Sequence, residues 1–218
     1  MNRTTSVPAP SPSRHAAIAL ATFLLIALAA CGKPAAVPRY DDGEAEFARL
    51  TNDLVVAARA GDRGRVKALA ATLALPDAEA WFTSTFGAAA APRLLEEYRA
   101  AGIDRFAADA APALIKLVRD DGRTAWEVHR AATADDEQAT GYQVRALRAM
   151  TTPTALYRLR LRRPDGSKAY SLWSFAYVAG GFRIVGKLKR ADESPQSDDL
   201  KMLSELPVAE ARALLDRP

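Results

Sequence analysis

The chain has 218 residues, 49% of them hydrophobic, with a formal net charge of +4 and a single cysteine. This length favours one globular domain built around one hydrophobic core. A single cysteine excludes a disulfide within the chain, so the domain must be stabilised by packing.

The first thirty residues have the organisation of a secretory signal. A segment containing Arg3 and Arg14 precedes an apolar run over residues 16–30 that only Thr22 interrupts. A spanning helix needs about 20 apolar residues, so cleavage is favoured over permanent insertion in the membrane. Removing residues 1–30 would leave 188 residues with a net charge of +2, because both arginines are lost.

The apolar run ends in the sequence LAACG over residues 28–32, which resembles the lipobox of bacterial lipoproteins. In that family the cysteine sulfur receives a diacylglyceryl group, a peptidase cuts before the cysteine, and the new amine is acylated. The resemblance implies a lipid anchor on Cys31, and two or more acyl chains hold a protein stably on a membrane. Gly32, in place of Asp after the cysteine, resembles the pattern of lipoproteins sent to the outer membrane in two-membrane bacteria, which implies an anchor facing the periplasm. The alternative is an ordinary secretory signal whose cleavage site adjoins a cysteine.

Three segments are predicted after the signal. Residues 31–43 contain prolines and no hydrophobic period, which is typical of a tether. Residues 44–190 are predicted to form the globular domain. Residues 191–218 are predicted to form an acidic tail that ends in a short helix over residues 207–215.

Helical spacing of apolar residues predicts about five helices between residue 44 and about residue 119. The first has a buried stripe consisting of Phe47, Leu50, Leu54 and Ala58. Gly61 is predicted to end this helix, and Asp62 to cap the next. Later helices are predicted to begin near residues 77, 88 and 104.

After residue 122 the apolar period changes to two, which predicts antiparallel strands. The predicted strands cover residues 124–131, 142–150, 154–163, 168–178 and 182–189. A turn over residues 163–166 and a Gly-Gly turn at 180–181 place the large apolar residues of the last three strands on one face. In this register Tyr177 lies opposite Ile184, and Tyr157 opposite Trp173. The fold class is therefore α+β, with N-terminal helices packed on a four- to five-stranded antiparallel meander.

Helices followed by a meander loosely resemble the cone-shaped α+β fold of the nuclear-transport-factor-like superfamily. The resemblance rests on the order of the elements, and no sequence motif carries it. It implies a cavity between the helices and a curved sheet. The strand pair that usually lies between the second and third helices of that fold is not evident here.

The sequence contains no arrangement typical of a catalytic or metal site. His15 is removed with the signal, so His129 is the only histidine of the mature chain. Without a second histidine or a free cysteine, the usual zinc sites and Cys–His catalysis are excluded. Glu127 and His129 share one face of a predicted strand, either as a polar surface with a local contact or as an acid/base pair. No cofactor is expected.

Seven aromatic residues of the predicted domain have two interpretations. They either fill the core between helices and sheet or line a ligand pocket. They are Trp81, Phe82, Phe86, Tyr157, Trp173, Phe175 and Tyr177.

Basic residues cluster on the opposite face of the predicted sheet. Residues 41–140 carry a net charge of −6, and residues 141–190 carry +10. The set comprises Arg158, Arg160, Arg162, Arg183 and Lys187, and we call it the basic face. The basic face has three interpretations. It is a solvated polar surface, a surface that binds anions, or a surface that contacts the acidic tail over residues 192–205.

These features predict an envelope lipoprotein that is held on a membrane through Cys31. The expected role is non-enzymatic binding or assistance, with the basic face contacting an anionic envelope component or an acidic protein. A small-ligand carrier or an enzyme with an aromatic-lined cavity is the alternative. The export signal disfavours nucleic acid as a partner.

Overall fold

The computed structural model describes residues 36–167, 169–192 and 204–215. The predicted signal, Cys31 and Lys168 lie outside the described residues. The described residues from Val37 onward form one compact unit. None of the helices in the described ranges has the length and hydropathy needed to cross a membrane.

The described domain is α+β, as the sequence predicted. Its helices are α1 (Glu44–Ala60), α2 (Arg63–Ala71), α3 (Ala78–Ala100), α4 (Phe106–Ile115), α5 (Gly141–Ala149) and α6 (Val208–Leu215). Helix α3 bends at Gly87, a 3₁₀ turn over Ile103–Arg105 precedes α4, and a π-helical turn over Lys116–Asp120 follows it. The strands β1 (Ala125–Ala131), β2 (Leu156–Arg162), β3 (Tyr170–Val178) and β4 (Gly181–Ile184) form one antiparallel sheet in the order β1-β2-β3-β4.

Local signals for helix ends and turns behave as predicted. Gly61 ends α1 in the left-handed conformation with φ 72°. The side chain of Asp62 caps α2 by accepting the N–H of Arg65 at 2.9 Å. In the β2–β3 turn, Gly166 has φ 82° and donates its N–H to the carbonyl of Arg163 at 2.8 Å. Each of these caps and turns depends on residues that are adjacent in sequence, which explains why the sequence alone predicts them.

The predicted strand over residues 142–150 is wrong, because this segment forms the helix α5. A reciprocal cap starts the helix: Thr140 Oγ1 accepts the N–H of Gln143 at 3.2 Å, and Gln143 Oε1 accepts the N–H of Thr140 at 3.1 Å. Such a capping box satisfies two free donors at a helix start. Tyr142, Gln143, Val144 and Ala146 are all buried. The buried residues Tyr142, Val144 and Ala146 occupy alternate positions, as they would in a strand, and this alternation misled the prediction.

The turn between β3 and β4 lies one residue earlier than predicted. It consists of Ala179 and Gly180, with φ of 50° and 74°. Positive φ at both central residues is the geometry of a two-residue type I′ hairpin. Tyr177 therefore lies opposite Phe182 instead of Ile184. Because the pairing moves by two positions, the side chains of both strands stay on the predicted faces.

A bulge in β3 changes the predicted pairing with β2. Tyr157 lies opposite Phe175, and the next residue, Arg158, lies opposite Trp173. Ser174 is the extra residue between these pairs, so the predicted pairing of Tyr157 with Trp173 is wrong. The extra residue changes the face of the sheet on which the preceding part of β3 places its side chains. As a result Leu172, predicted on the basic face, packs against the core.

The core is organised around aromatic rings from α1 and the sheet. Phe47 is 1% exposed. Its ring centroid lies 5.3 Å from that of Tyr157, 4.8 Å from Phe175 and 4.9 Å from Phe182. A second cluster within α3 contains Trp81, Phe82 and Phe86, all of them buried. Aromatic packing at these distances contributes roughly 0.5–1.5 kcal/mol per pair beyond area burial.

The end of the predicted tether is part of the folded domain. Tyr40 is 5% exposed, and its hydroxyl donates to Asp53 Oδ2 at 2.6 Å. The hydroxyl of Tyr157 donates to Asp42 Oδ1 at 2.5 Å, and that of Tyr177 donates to the carbonyl of Tyr40 at 3.2 Å. We call these contacts the N-terminal clasp. They bring the chain into the domain by residue 40.

The N-terminal clasp predicts a loss of stability at alkaline pH. Burial, and then the hydrogen bond to Asp42, raise the pKa of Tyr157 from 10.0 to about 12. A folded pKa above the unfolded one means that the stabilisation is complete below about pH 10 and is lost as pH rises through 12. We expect the free energy of unfolding, measured in urea, to fall more steeply over this interval in the wild type than in Tyr157→Phe.

At about pH 8 the same variant should be less stable by about 1–2 kcal/mol, because Asp42 loses a hydrogen-bond donor. Parallel alkaline slopes for the two proteins would contradict the assignment.

Candidate functional site

A half-open groove of about 530 Å³ lies between α3, the Ile103–Arg105 turn, β3 and the segment that follows β4. Its volume is within the range of small-molecule binding sites. Aliphatic and aromatic side chains supply most of its lining, with Glu97, Lys187 and Lys189 as the charged members. The lining consists of Leu94, Glu97, Tyr98, Ala100, Ala101, Ile103, Phe106, Tyr170, Ser171, Leu172, Phe175, Ile184, Val185, Gly186, Lys187, Leu188 and Lys189.

Three backbone features shape the groove. Gly102 follows the end of α3 with φ 65°, so the chain turns away from the helix axis there. Gly186 has φ 88°, and a Cβ at this position would lie 3.1 Å from Ile103 Cδ1. Only glycine combines this conformation with such a close approach. The bulge at Ser174 supplies the third element, because it brings Leu172 to the core side of the sheet.

One end of the groove is bounded by a turn over residues 188–191, which we call the rim turn. Leu188 has φ 56°, a sparsely populated conformation for a residue with a branched side chain. The carboxylate of Glu97 accepts the N–H of Lys189 and the N–H of Arg190, each at 3.0 Å. Arg93 Nε donates to the carbonyl of Arg190 at 2.7 Å. Helix α3 thus holds the rim turn through two side chains one helical turn apart.

Most of the aromatic residues singled out in the sequence fill the core. Trp81, Phe82, Phe86 and Tyr157 are buried and do not line the groove, whereas Phe175 does. The side chain of Trp173 lies outside the described part of the chain. The sequence interpretation therefore missed the aliphatic groove lining. The sequence signals for the groove were Gly102 and Gly186. Their roles become evident only when distant segments of the chain meet in the fold.

Three of the five basic-face residues, Arg160, Arg162 and Lys187, are paired with carboxylates of the same molecule. Glu127 of β1 lies opposite Arg160 of β2. Its carboxylate oxygens lie 3.5 Å from Arg160 Nη1 and 3.4 Å from Arg162 Nη2. Arg160 Nη1 also lies 3.1 Å from Glu210 Oε1 on α6. The charge of these two arginines is accordingly balanced from β1 and from the C-terminal helix.

Arg183 of β4 and Lys187, which follows β4 and lines the groove, are also engaged within the chain. Lys187 Nζ lies 2.7 Å from Glu205 Oε1, a residue of the predicted acidic tail. The guanidinium of Arg183 donates to the carbonyl of Thr72, and burial lowers the pKa of Arg183. Of the three interpretations of the basic face, contact with the C-terminal segment is the one that these distances favour.

His129 contacts a loop carboxylate instead of Glu127. Its Nε2 lies 3.0 Å from each oxygen of Asp136, and its Nδ1 lies 3.8 Å from Glu44 Oε2. Glu127 is engaged with Arg160, so the two residues do not form the local contact or the acid/base pair considered from the sequence. Among the described residues, no three histidine, cysteine or acidic side chains are grouped so that they could hold a metal ion.

Arg158 is the most buried residue of the basic face. It is 5% exposed, and no carboxylate of the described residues forms an ion pair with it. Burial, and then the nearby charge of Arg160, lower the pKa of Arg158, while Glu127 and Glu210 act in the opposite direction. Moving a cation out of water costs free energy, and carboxylates that act only at a distance offset this cost in part.

Replacing this cation with an apolar side chain should therefore stabilise the fold. We expect Arg158→Met to raise the free energy of unfolding by roughly 1–3 kcal/mol, because the cost of burying the charge is removed. Arg160→Met is the matched control on the same strand and should change stability by less than about 1 kcal/mol. Equilibrium unfolding in urea measures both, and a marked loss in Arg158→Met would show that Arg158 makes a stabilising contact.

No family model matches this chain, and no curated protein or solved structure is significantly similar to it.

Proposed function

We propose that the chain is a lipid-anchored, non-enzymatic binding protein of the bacterial envelope, and that its groove takes a small apolar ligand. The half-open groove of about 530 Å³ is the observation that carries this proposal. Its lining offers hydrocarbon surface, which favours binding by about 25 cal/mol per Å² of apolar area removed from water.

The groove is a better supported site than the basic face. Arg160, Arg162 and Lys187 lie near carboxylates of the same chain, so an external anion would have to compete with them. The groove is open to solvent, and the side chains on its floor, including Leu172 and Phe175, are apolar. An apolar ligand would displace water from these side chains without breaking an ion pair.

The lipobox resemblance supports attachment to a membrane through Cys31. The N-terminal clasp limits how far the domain can lie from that membrane. Tyr40, the first buried residue in the described part of the chain, follows Cys31 by nine positions. At about 3.3–3.6 Å per residue, this segment spans at most roughly 30 Å when fully extended. An acylated Cys31 would keep the groove near the membrane surface, where apolar small molecules accumulate.

Filling the groove should abolish ligand binding. We expect residues 32–218 to bind the neutral apolar dye N-phenyl-1-naphthylamine saturably, with enhanced fluorescence. Ala101 lines the groove. Ala101→Trp should weaken binding at least about tenfold, because the indole occupies the ligand volume.

Val56→Trp is the matched control, since Val56 is 55% exposed on α1 and does not line the groove. It should bind the dye as the wild type does. Equal binding by Ala101→Trp, or no saturable binding by the wild type, would exclude the groove as the site.

Lipid attachment at Cys31 has an independent test. Cys31→Ser removes the thiol that the lipobox resemblance assigns to lipid attachment. In a bacterial host we expect this variant to leave the membrane fraction or to keep its signal segment, whereas the wild type is cleaved and sediments with membranes. Normal processing and unchanged membrane fractionation of the variant would refute the anchor.

A further inference from the structure

We infer that the groove ligand is an anionic amphiphile with a single alkyl chain, whose head group is bound by Lys189. This inference rests on the proposed function, and it adds the chemical class of the ligand. It follows from the construction of the rim turn and from the charges that line the groove.

The rim turn is held in a strained conformation beside the groove. Leu188 is 2% exposed, so its side chain is fixed in the core while its backbone has φ 56°. Unfavourable backbone conformations persist where the surrounding structure enforces them, and they are concentrated at ligand-binding sites. Here Glu97 and Arg93 enforce the conformation through hydrogen bonds to residues 189–191. Lys187, Leu188 and Lys189 consequently all line the groove.

The charges at this end of the groove differ in how they are compensated. Both oxygens of Glu97 accept backbone N–H groups of the rim turn. Lys187 is paired with Glu205 at 2.7 Å. The ammonium of Lys189 has no ion pair or hydrogen bond with the described residues, although the residue is half-buried. Lys189 therefore supplies an ammonium without a carboxylate partner among the described residues, beside Glu97, whose two oxygens are already bound to the rim turn.

A cation at the border of an apolar groove is complementary to an amphiphile with a negative head. A carboxylate or phosphate would accept charge-assisted hydrogen bonds from the Lys189 ammonium. The alkyl chain would lie along the floor formed by Phe106, Leu172 and Phe175. The long stem of lysine covers apolar surface while its head contacts polar groups, which suits this position.

Displacement of N-phenyl-1-naphthylamine from residues 32–218 tests the inference with three ligands of equal chain length. These are dodecanoate, dodecyl phosphate and the uncharged dodecanol. We expect at least one anionic ligand to displace the dye at about tenfold lower concentration than dodecanol, which corresponds to one charge-assisted contact. The carboxylate and phosphate arms show which head group is preferred.

The Lys189→Gln variant should lose this preference, binding the anionic ligand about tenfold more weakly and dodecanol as the wild type does. Lys67→Gln is the matched control, because Lys67 is exposed on α2 away from the groove lining, and it should behave as the wild type. Equal displacement by charged and uncharged ligands, or an unchanged preference in Lys189→Gln, would overturn the inference and leave the proposed function intact. Failure of every ligand, with no saturable dye binding, would refute both.

Discussion

The packing of Phe47 against the sheet is the contact on which the rest of the domain depends. One ring from α1 meets aromatic rings from β2, β3 and β4, so it fixes which face of the sheet is the core face. Side chains alternate along a strand, and the outward position of Arg160 and Arg162 follows directly. A helix centred on one end of the sheet cannot cover its whole length. The groove lies at the other end of β3, where α3 and the Ile103–Arg105 turn form the opposite wall.

The acidic and basic segments of the chain largely balance each other's charge within the molecule. The basic segment over residues 141–190 carries +10 and the preceding hundred residues carry −6. In the fold, Arg160 is approached by Glu127 from the neighbouring strand and by Glu210 from α6. Surface pairs of this kind contribute little individually, roughly 0–1 kcal/mol. Their collective effect is to balance the outer face of the sheet, so its basic composition alone is weak evidence for an anionic partner.

Sequence reasoning succeeded where one short segment determines the structure and failed where distant segments do. The caps at Gly61 and Asp62 and the turn ending in Gly166 depend on neighbours in sequence, and they were predicted correctly. The extra residue in β3, Ser174, could not be located, because a bulge is defined only by the partner strand. Helix α5 was mistaken for a strand because Tyr142, Val144 and Ala146 alternate in sequence, and the capping box formed by Thr140 and Gln143 was overlooked. The groove was missed for the same reason as the bulge, since the role of Gly186 becomes visible only beside Ile103.

Helix α3 links the stability of the domain to the geometry of the groove. Leu94, Tyr98 and Ala101 form part of the groove wall, while Arg93 and Glu97, interleaved with them, bind the rim turn. Residues three and four apart share a helix face, so one rigid element positions both the apolar wall and the turn that carries Lys189. A site built on regular secondary structure loses little conformational freedom when a ligand binds. The strained backbone of Leu188 is compatible with this arrangement because α3 supplies the hydrogen bonds that maintain it.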